Sequence, residues 1–351
     1  MVGGIQVGGG APVSVQTMVK AAPDDIEAIL EQIRRAEAEG CAYIRLAIPN
    51  KRALPPFAEV KKRSPLPLVA DIHFSADLAL GAIEAGADKI RINPGNMKDW
   101  EAIERVVKAA KERKVAIRVG GNSGSILNRA GDSRNILEAL VEETLSHCRR
   151  IEAMGFENIV LSLKAADAPT TIAANRLAAA ECDYPLHVGV THAGPEDDSL
   201  VKSAIGIGGL LAMGIGDTIR VSMTADPVRE ILAGKQILRA AGLLQDQVEI
   251  VSCPTCGRCR VGLQEIMSTV RERLKHITTP LKVAVMGCEV NGPGEASECD
   301  IGIAAGKGKF ALFAGGKLIG TVPEDEVIDR LVHDVEVLAG IRPATPAEVK
   351  P

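Results

Sequence analysis

The sequence predicts an α/β protein: a (β/α)8 TIM-like barrel followed by a smaller α+β domain. Three observations carry this. Short β-branched runs alternate with amphipathic helical runs eight times between residues 13 and 241. Strict alternation implies a parallel sheet, and eight units is the number that closes a barrel. No Gly-x-Gly-x-x-Gly follows the first run, which weighs against a dinucleotide-binding open sheet. After Gly242-Leu243-Leu244 the alternation gives way to strands that run into cysteine turns, so the boundary falls near 243, with domains 1–243 and 244–351.

The strands are expected at Val13–Met18, Tyr43–Ile48, Leu66–His73, Lys89–Asn93, Val115–Gly120, Asn158–Lys164, Pro185–Thr191 and Thr218–Thr224. Helical stretches between them include Asp24–Glu39, where Ile26, Ile29, Leu30, Ile33 and Ala36 recur at helix spacing. Others are Ala76–Ala85, Lys98–Lys111, Ser133–Met154, Thr170–Ala180 and Ser199–Met213. The last begins at Asp226-Pro227, a cap residue followed by proline at the first helical position. In the second domain, strands Val248–Ser252 and Leu281–Met286 lead into cysteines and Arg260–Lys275 is a helix. Asp300–Ala304 pairs with Lys309–Leu318, which carries a Gly315-Gly316 turn, and Glu324–Leu338 is a closing helix.

Of the 351 residues, 46% are hydrophobic and 2% aromatic, with Trp100 the single tryptophan, so the core rests on Val, Ile, Leu and Ala. The net charge of −4 argues against a nucleic-acid partner. No apolar run has the length of a membrane span, and Met1 to Gly10 lacks a signal-peptide core. Eight unevenly spaced cysteines suit a reducing cytoplasm better than a secreted disulfide framework.

In such barrels the chemistry sits at the C-terminal strand ends, and here those ends are polar. Arg45 lies in the second strand, Asp71 and His73 end the third, Arg91 and Asn93 the fourth. Arg118 and Asn122 close the fifth, Lys164 the sixth, His192 the seventh, and Arg220 lies in the eighth. Four arginines and a lysine converging inside an acidic protein call for an anion, and guanidinium forks with a lysine point charge suit phosphate or diphosphate. Asp71, His73 and His192 are the candidate catalytic groups; the alternatives are a structural ion pair for Asp71 and hydrogen-bonded strand-end histidines for His192 and, more readily, His73, while His187, in mid-strand, reads as packing.

The other chemical signature is Cys253-Pro254-Thr255-Cys256-Gly257-Arg258-Cys259, answered by Cys288 and by Glu295 beyond an Asn291-Gly292-Pro293-Gly294 turn. Thiolates at Cys-x-x-Cys spacing are what an iron–sulfur cluster selects, and Gly-Pro-Gly allows a reversal that brings Glu295 beside Cys288. A structural zinc completed by Cys299 is the alternative; it would make the protein a non-redox phosphate-binding barrel enzyme. Cys41, Cys148 and Cys182 read as ordinary buried thiols.

Longer strings carry a resemblance. They are Ser14-Val15-Gln16-Thr17-Met18, Ala70-Asp71-Ile72-His73-Phe74, Ile90-Arg91-Ile92-Asn93-Pro94-Gly95-Asn96, Asn122-Ser123-Gly124-Ser125, Met213 to Ser222, Cys253 to Arg258 and Gly287 to Ala296. Through them the chain resembles the 4-hydroxy-3-methylbut-2-enyl diphosphate synthase family of the methylerythritol phosphate route to isoprenoids. The resemblance implies a [4Fe-4S] cluster held by Cys253, Cys256, Cys288 and Glu295, with Glu295 on the iron most open to exchange. It implies a head-to-tail homodimer, flavodoxin or ferredoxin as electron donor, and two-electron reduction of 2-C-methyl-erythritol 2,4-cyclodiphosphate. Arg45, Arg91, Arg118, Asn122 and Lys164 stand at the family's diphosphate contacts. Three features depart from the family pattern: His192 replaces the Glu of Thr-Glu-Ala-Gly, Val19-Lys20-Ala21-Ala22 replaces a Thr/Asn-rich stretch, and Cys259 and Cys299 are additional sulfurs able to compete for iron. The His192 and loop departures keep open a catalytically altered cluster-carrying paralogue.

Overall fold

Eight parallel strands wrap into a barrel: β1 Ser14–Met18, β2 Tyr43–Ala47, β3 Leu68–Asp71, β4 Lys89–Ile92, β5 Ala116–Asn122, β6 Ile159–Lys164, β7 His187–Val188 and β8 Thr218–Ile219. The order runs β6-β5-β4-β3-β2-β1-β8-β7. A parallel bridge between Leu161 and Leu186, with Leu161 N donating to Pro185 O at 2.9 Å, closes the ring. The computed structural model describes residues 1–342 apart from His73, Phe74, Pro94, Gly95, Lys98, residues 123–135, His192 and Ala193. The expected positions His73 and His192 therefore lie outside the described residues. The chain divides into two compact units, Met1–Leu244 and Gln245–Pro351.

The barrel helices are α1 Ile26–Ala38, α2 Leu54–Arg63, α3 Ala76–Glu84, α4 Trp100–Arg113, α5 Ile136–Ala153, α6 Ala168–Glu181, α7 Glu196–Ser203 and α8 Pro227–Ala240. After α7 the chain runs on through a π turn, Ala204–Gly208, and a short turn at Gly209–Leu211. Side chains of Asp25, Ser75, Asp99, Asp167 and Asp226 each accept a backbone N–H at a helix start, satisfying donors that the first turn leaves open. Helix α2 has no counterpart among the expected elements, because Pro55-Pro56 reads as a break. The prolines fall in the first turn, where a missing N–H costs nothing. Strands β7 and β8 are shorter than expected.

Alternation divides each strand between two faces. Val15, Ile44, Leu46, Leu68, Ile90, Ile117, Val119 and Leu161 meet the helices in the main core. Tyr43, Val69, Ala116 and Val160 turn inward and pack with Val2 and Val7 as a small apolar plug. Most of the remaining inward positions are polar or charged, among them Gln16, Arg45, Asp71, Lys89, Arg91, Arg118 and Lys164.

The second unit is a five-stranded sheet in the order β13-β12-β11-β10-β9. Its parallel members are β9 Glu249–Ser252, β10 Lys282–Met286 and β11 Ile301–Ala305, and its antiparallel members are β12 Lys309–Ala314 and β13 Lys317–Pro323. Helices α9 Leu263–Leu274 and α11 Val327–Leu338 cover one face and α10 Gly292–Ser297 the other. The turn expected at Gly315-Gly316 is present, both residues at positive φ, and makes a hairpin whose second strand runs beyond Leu318 to Pro323. The expected Gly-Pro-Gly reversal is instead the first turn of α10, with Pro293 at a position where it needs no N–H. Among the described residues no helix is long and apolar enough to cross a membrane.

Candidate functional site

Register gathers the barrel cations. Arg91 pairs in the sheet with Asp71 on one side and Arg118 on the other, and Asn122 lies opposite Lys164. Arg91, Arg118 and Lys164 are 2%, 3% and 8% exposed. Arg45 Nη2 lies 2.5 Å from Asp71 Oδ1. Arg91 Nη2 donates to Gly120 O at 3.4 Å, and the Asn122 amide, turned to suit its neighbours, accepts from the same nitrogen at 3.3 Å. Asn93, the residue after β4, is buried, its carbonyl accepting from Asn96 N and Met97 N. Two glycines make the room. A Cβ on Gly120 would stand 3.3 Å from Arg91 Nε, and one on Gly189 would stand 2.7 Å from Lys164 Nζ and 2.6 Å from Arg220 O.

This crowding is electrostatically costly. Burial first, then Arg45, lowers the Arg91 pKa to about 10. Burial and the neighbouring arginines push Arg118 and Lys164 well below their ordinary values. Arg118 Nε and Nη1 find no hydrogen-bond partner among the described residues. A lower tier continues beneath: Lys89, fully buried, holds its ammonium 3.9 Å from the centre of the Tyr43 ring, and burial lowers its pKa strongly. A dianion entering the mouth would relieve a repulsion already present.

His187 packs inside the barrel, as its mid-strand position suggests. Fully buried, it faces Thr218 Oγ1 at 3.5 Å through Nδ1, within a line formed by Thr218, Tyr43 and Ser14. Burial, then Lys164, Arg118, Lys89 and Arg45, drive its pKa far below 6.5, so the folded protein keeps it neutral. The unfolded chain takes up a proton below pH 6.5 that the folded chain refuses, so stability falls as pH drops through that value. Denaturant titrations from pH 7.5 to 5.5 should show a loss approaching about 1.4 kcal/mol per pH unit from this group. His187→Gln should flatten that loss; an unchanged slope would mean that His187 is protonated in the fold.

Sequence reasoning missed four members. Lys89 was legible as the inward neighbour, two residues before Arg91 on one strand face. Gln16, fully buried with both amide atoms lacking partners among the described residues, sits on β1. Lys20 and Glu230 meet Arg220 at the rim, and nothing in their local sequence signals it.

In the second unit, parallel pairing of Val285 with Ser252 brings the ends of β9 and β10 side by side. Cys253 follows one and Gly287-Cys288 the other. Thr255, at φ 58, takes a left-handed conformation rare for a β-branched residue and turns the chain between Cys253 and Cys256. Gly287 N donates to Cys253 Sγ at 3.4 Å, and Arg260 N donates to Gly287 O at 3.0 Å. A Cβ on Gly287 would stand 2.6 Å from Cys259 Sγ and 3.5 Å from Cys253 Sγ, so both sulfurs front a backbone kept bare. Backbone N–H groups of Val290, Asn291 and Gly292 lower the Cys288 pKa and favour its thiolate. Cys256 and Glu295 are exposed. Among the described residues no three His, Cys, Asp or Glu side chains gather for a single metal ion. A four-iron cluster spreads its ligands around a larger body, and the bare Gly287 with a thiolate-favouring turn beside it fits that group. Cys41, its pKa raised to about 12 by burial, and Cys148, raised further, are inert buried thiols.

Residues 1–235 match the GcpE TIM-barrel domain and residues 249–337 the GcpE protein C-terminal domain. The chain belongs to the GcpE family. GcpE relatives include a Caldanaerobacter subterraneus subsp. tengcongensis protein named 4-hydroxy-3-methylbut-2-en-1-yl diphosphate synthase (flavodoxin), 51% identical over 95% of each chain. Proteins of the same name from Brevibacillus brevis (47% identical, 98% of this chain, 96% of the relative) and Geobacter sulfurreducens (48%, 95% and 96%) match equally broadly. Beyond GcpE, Yersinia pestis dihydropteroate synthase shares the barrel fold, with TM-score 0.50 and 14% identity over 66% of this chain and 94% of that one.

Proposed function

We propose that this protein reduces 2-C-methyl-erythritol 2,4-cyclodiphosphate by two electrons, opening its ring and releasing one hydroxyl to give 4-hydroxy-3-methylbut-2-enyl diphosphate. The single observation that supports this most, in a GcpE chain, is the buried ring of cations, which outnumber the two carboxylates beside them, Asp71 on Arg45 and Glu230 on Arg220. Arg45, Arg91, Arg118, Lys164 and Arg220, with Asn93 and Asn122, hold the diphosphate and fix the carbon skeleton beside it. Asp71 orients Arg45. His192 takes the place of the family's glutamate and, with His73, handles the proton that the departing hydroxyl needs to leave as water. Cys253, Cys256, Cys288 and Glu295 would hold a [4Fe-4S] cluster, which when bound supplies the electrons one at a time. A reduced flavodoxin or ferredoxin refills it, in a reducing cytoplasm that keeps these thiols free.

The test is anaerobic reconstitution followed by turnover with reduced flavodoxin. About four irons and four sulfides per chain are expected, with the cyclodiphosphate consumed. Iron-replete protein with a competent donor and no consumption would overturn the reading. The reading extends to a head-to-tail homodimer in which each site draws on both subunits. Lys164→Ala and Cys288→Ser should each be inactive, yet mixing and reassociating them should restore about a quarter of wild-type activity. No recovery would place each site within one chain.

A further inference from the structure

Glu230 is fully buried in the first turn of α8, accepts four hydrogen bonds and pairs with one further cation. Thr17 Oγ1 donates at 2.7 Å, Arg220 Nε at 3.2 Å and Arg220 Nη2 at 3.4 Å. Lys20 Nζ lies at 3.1 Å and Met223 N at 3.5 Å. Lys20 Nζ also donates to Met223 O at 2.9 Å and to Ala225 O. Two backbone carbonyls and the ion pair with Glu230 thus hold the Lys20 ammonium in place beside that carboxylate. Arg220, held along its Nε edge, points Nη1 toward Met18 Sδ at 3.6 Å, an inward position at the end of β1.

We infer that Glu230 is a positioning residue for the anion end of the substrate, fixing Arg220 by one edge so that the other serves the barrel mouth, while Lys20 offsets the Glu230 charge. This rests on the cyclodiphosphate reading. One carboxylate shared between two cations leaves one positive charge at the rim. With Lys20 removed, Glu230 would neutralise Arg220 outright, and the mouth would lose a charge although no ligand contact had changed. Arg220 is among the charges that act on Arg45, Arg118 and Lys164, so it belongs to their field.

The experiment compares Lys20→Met, Glu230→Gln and the double variant in cluster-loaded protein. Calorimetric titration with inorganic pyrophosphate is set beside kcat and KM for the cyclodiphosphate. Lys20→Met should weaken pyrophosphate about tenfold, raise KM to match, and lower the salt dependence of binding, with kcat nearly unchanged. Glu230→Gln should raise KM about tenfold by freeing Arg220. The double variant restores the surplus charge, so its loss should stay near tenfold instead of the roughly hundredfold product expected of independent effects. A hundredfold product, or single variants that bind pyrophosphate like wild type, overturns the inference. Wild-type protein that ignores pyrophosphate would instead sink the reading of the barrel mouth. Lys20 is 34% exposed, so methionine there should fold, and its affinity and salt slope decide the matter even if Glu230→Gln fails to fold.

Discussion

Arg118→Met should make the ligand-free protein more stable and nearly useless. Arg118 is 3% exposed, two of its nitrogens lack partners among the described residues, and Arg45, Arg91 and Arg220 press on it while Asp71 offsets them in part. Replacing a buried, poorly compensated charge by an apolar chain of similar length relieves desolvation and repulsion, by about 1–3 kcal/mol. For a unit of this size that is a rise of several degrees in Tm. If Arg118 holds the diphosphate as proposed, the same change removes one guanidinium fork from it, and KM should rise on the order of a hundredfold. Thermal unfolding without ligand and pyrophosphate titration give the two readouts. A lower Tm would mean that Arg118 is compensated within the fold, and unaltered pyrophosphate affinity would remove it from the anion site.

Gly287→Ala should abolish cluster loading while leaving the fold in place. The methyl would stand 2.6 Å from Cys259 Sγ, 3.2 Å from Leu263 Cδ2 and 3.5 Å from Cys253 Sγ. A cysteine side chain is too short to swing clear, so the sulfurs at the ends of β9 and β10 must move apart. Iron and sulfide per chain should fall about tenfold with the circular dichroism unchanged, because ligand geometry sets affinity more steeply than it sets the surrounding sheet. Adding Cys259→Ala removes the sulfur the methyl strikes, and loading should return if Cys259 is not itself a ligand. Full iron in Gly287→Ala alone would move the cluster away from this turn.

Much of this arrangement was legible in the sequence for physical reasons. Period-two alternation put Arg91 and Asn93 on one strand face, and β-branched runs cut by helical ones set the barrel. The cysteine turns stood out because thiols at that spacing have few other uses. What escaped was non-local or masked by a local breaker. Helix α2 hid behind Pro55-Pro56, which break a helix only when they fall inside it. Strand β13 runs on to Pro323, its largely exposed edge giving no core pattern to read. Glu230 looked like any helix-start carboxylate, and only folding brings it to Thr17, 213 residues earlier. Gly120 and Gly189 carry no chemistry of their own, and their meaning as space for Arg91 and Lys164 exists only in three dimensions.

The tiered cations also bear on how quickly the protein finds its ligand. Lys89 lies beneath Arg118, Lys164 and Arg45 inside low-dielectric barrel walls, and such walls channel field lines outward through the open end. An overall acidic chain thus projects a narrow positive beam from one place. Capture of a small polyanion should be fast at low ionic strength and slow steeply as salt is added. Much of the penalty for stacking charge in the interior is returned as encounter rate.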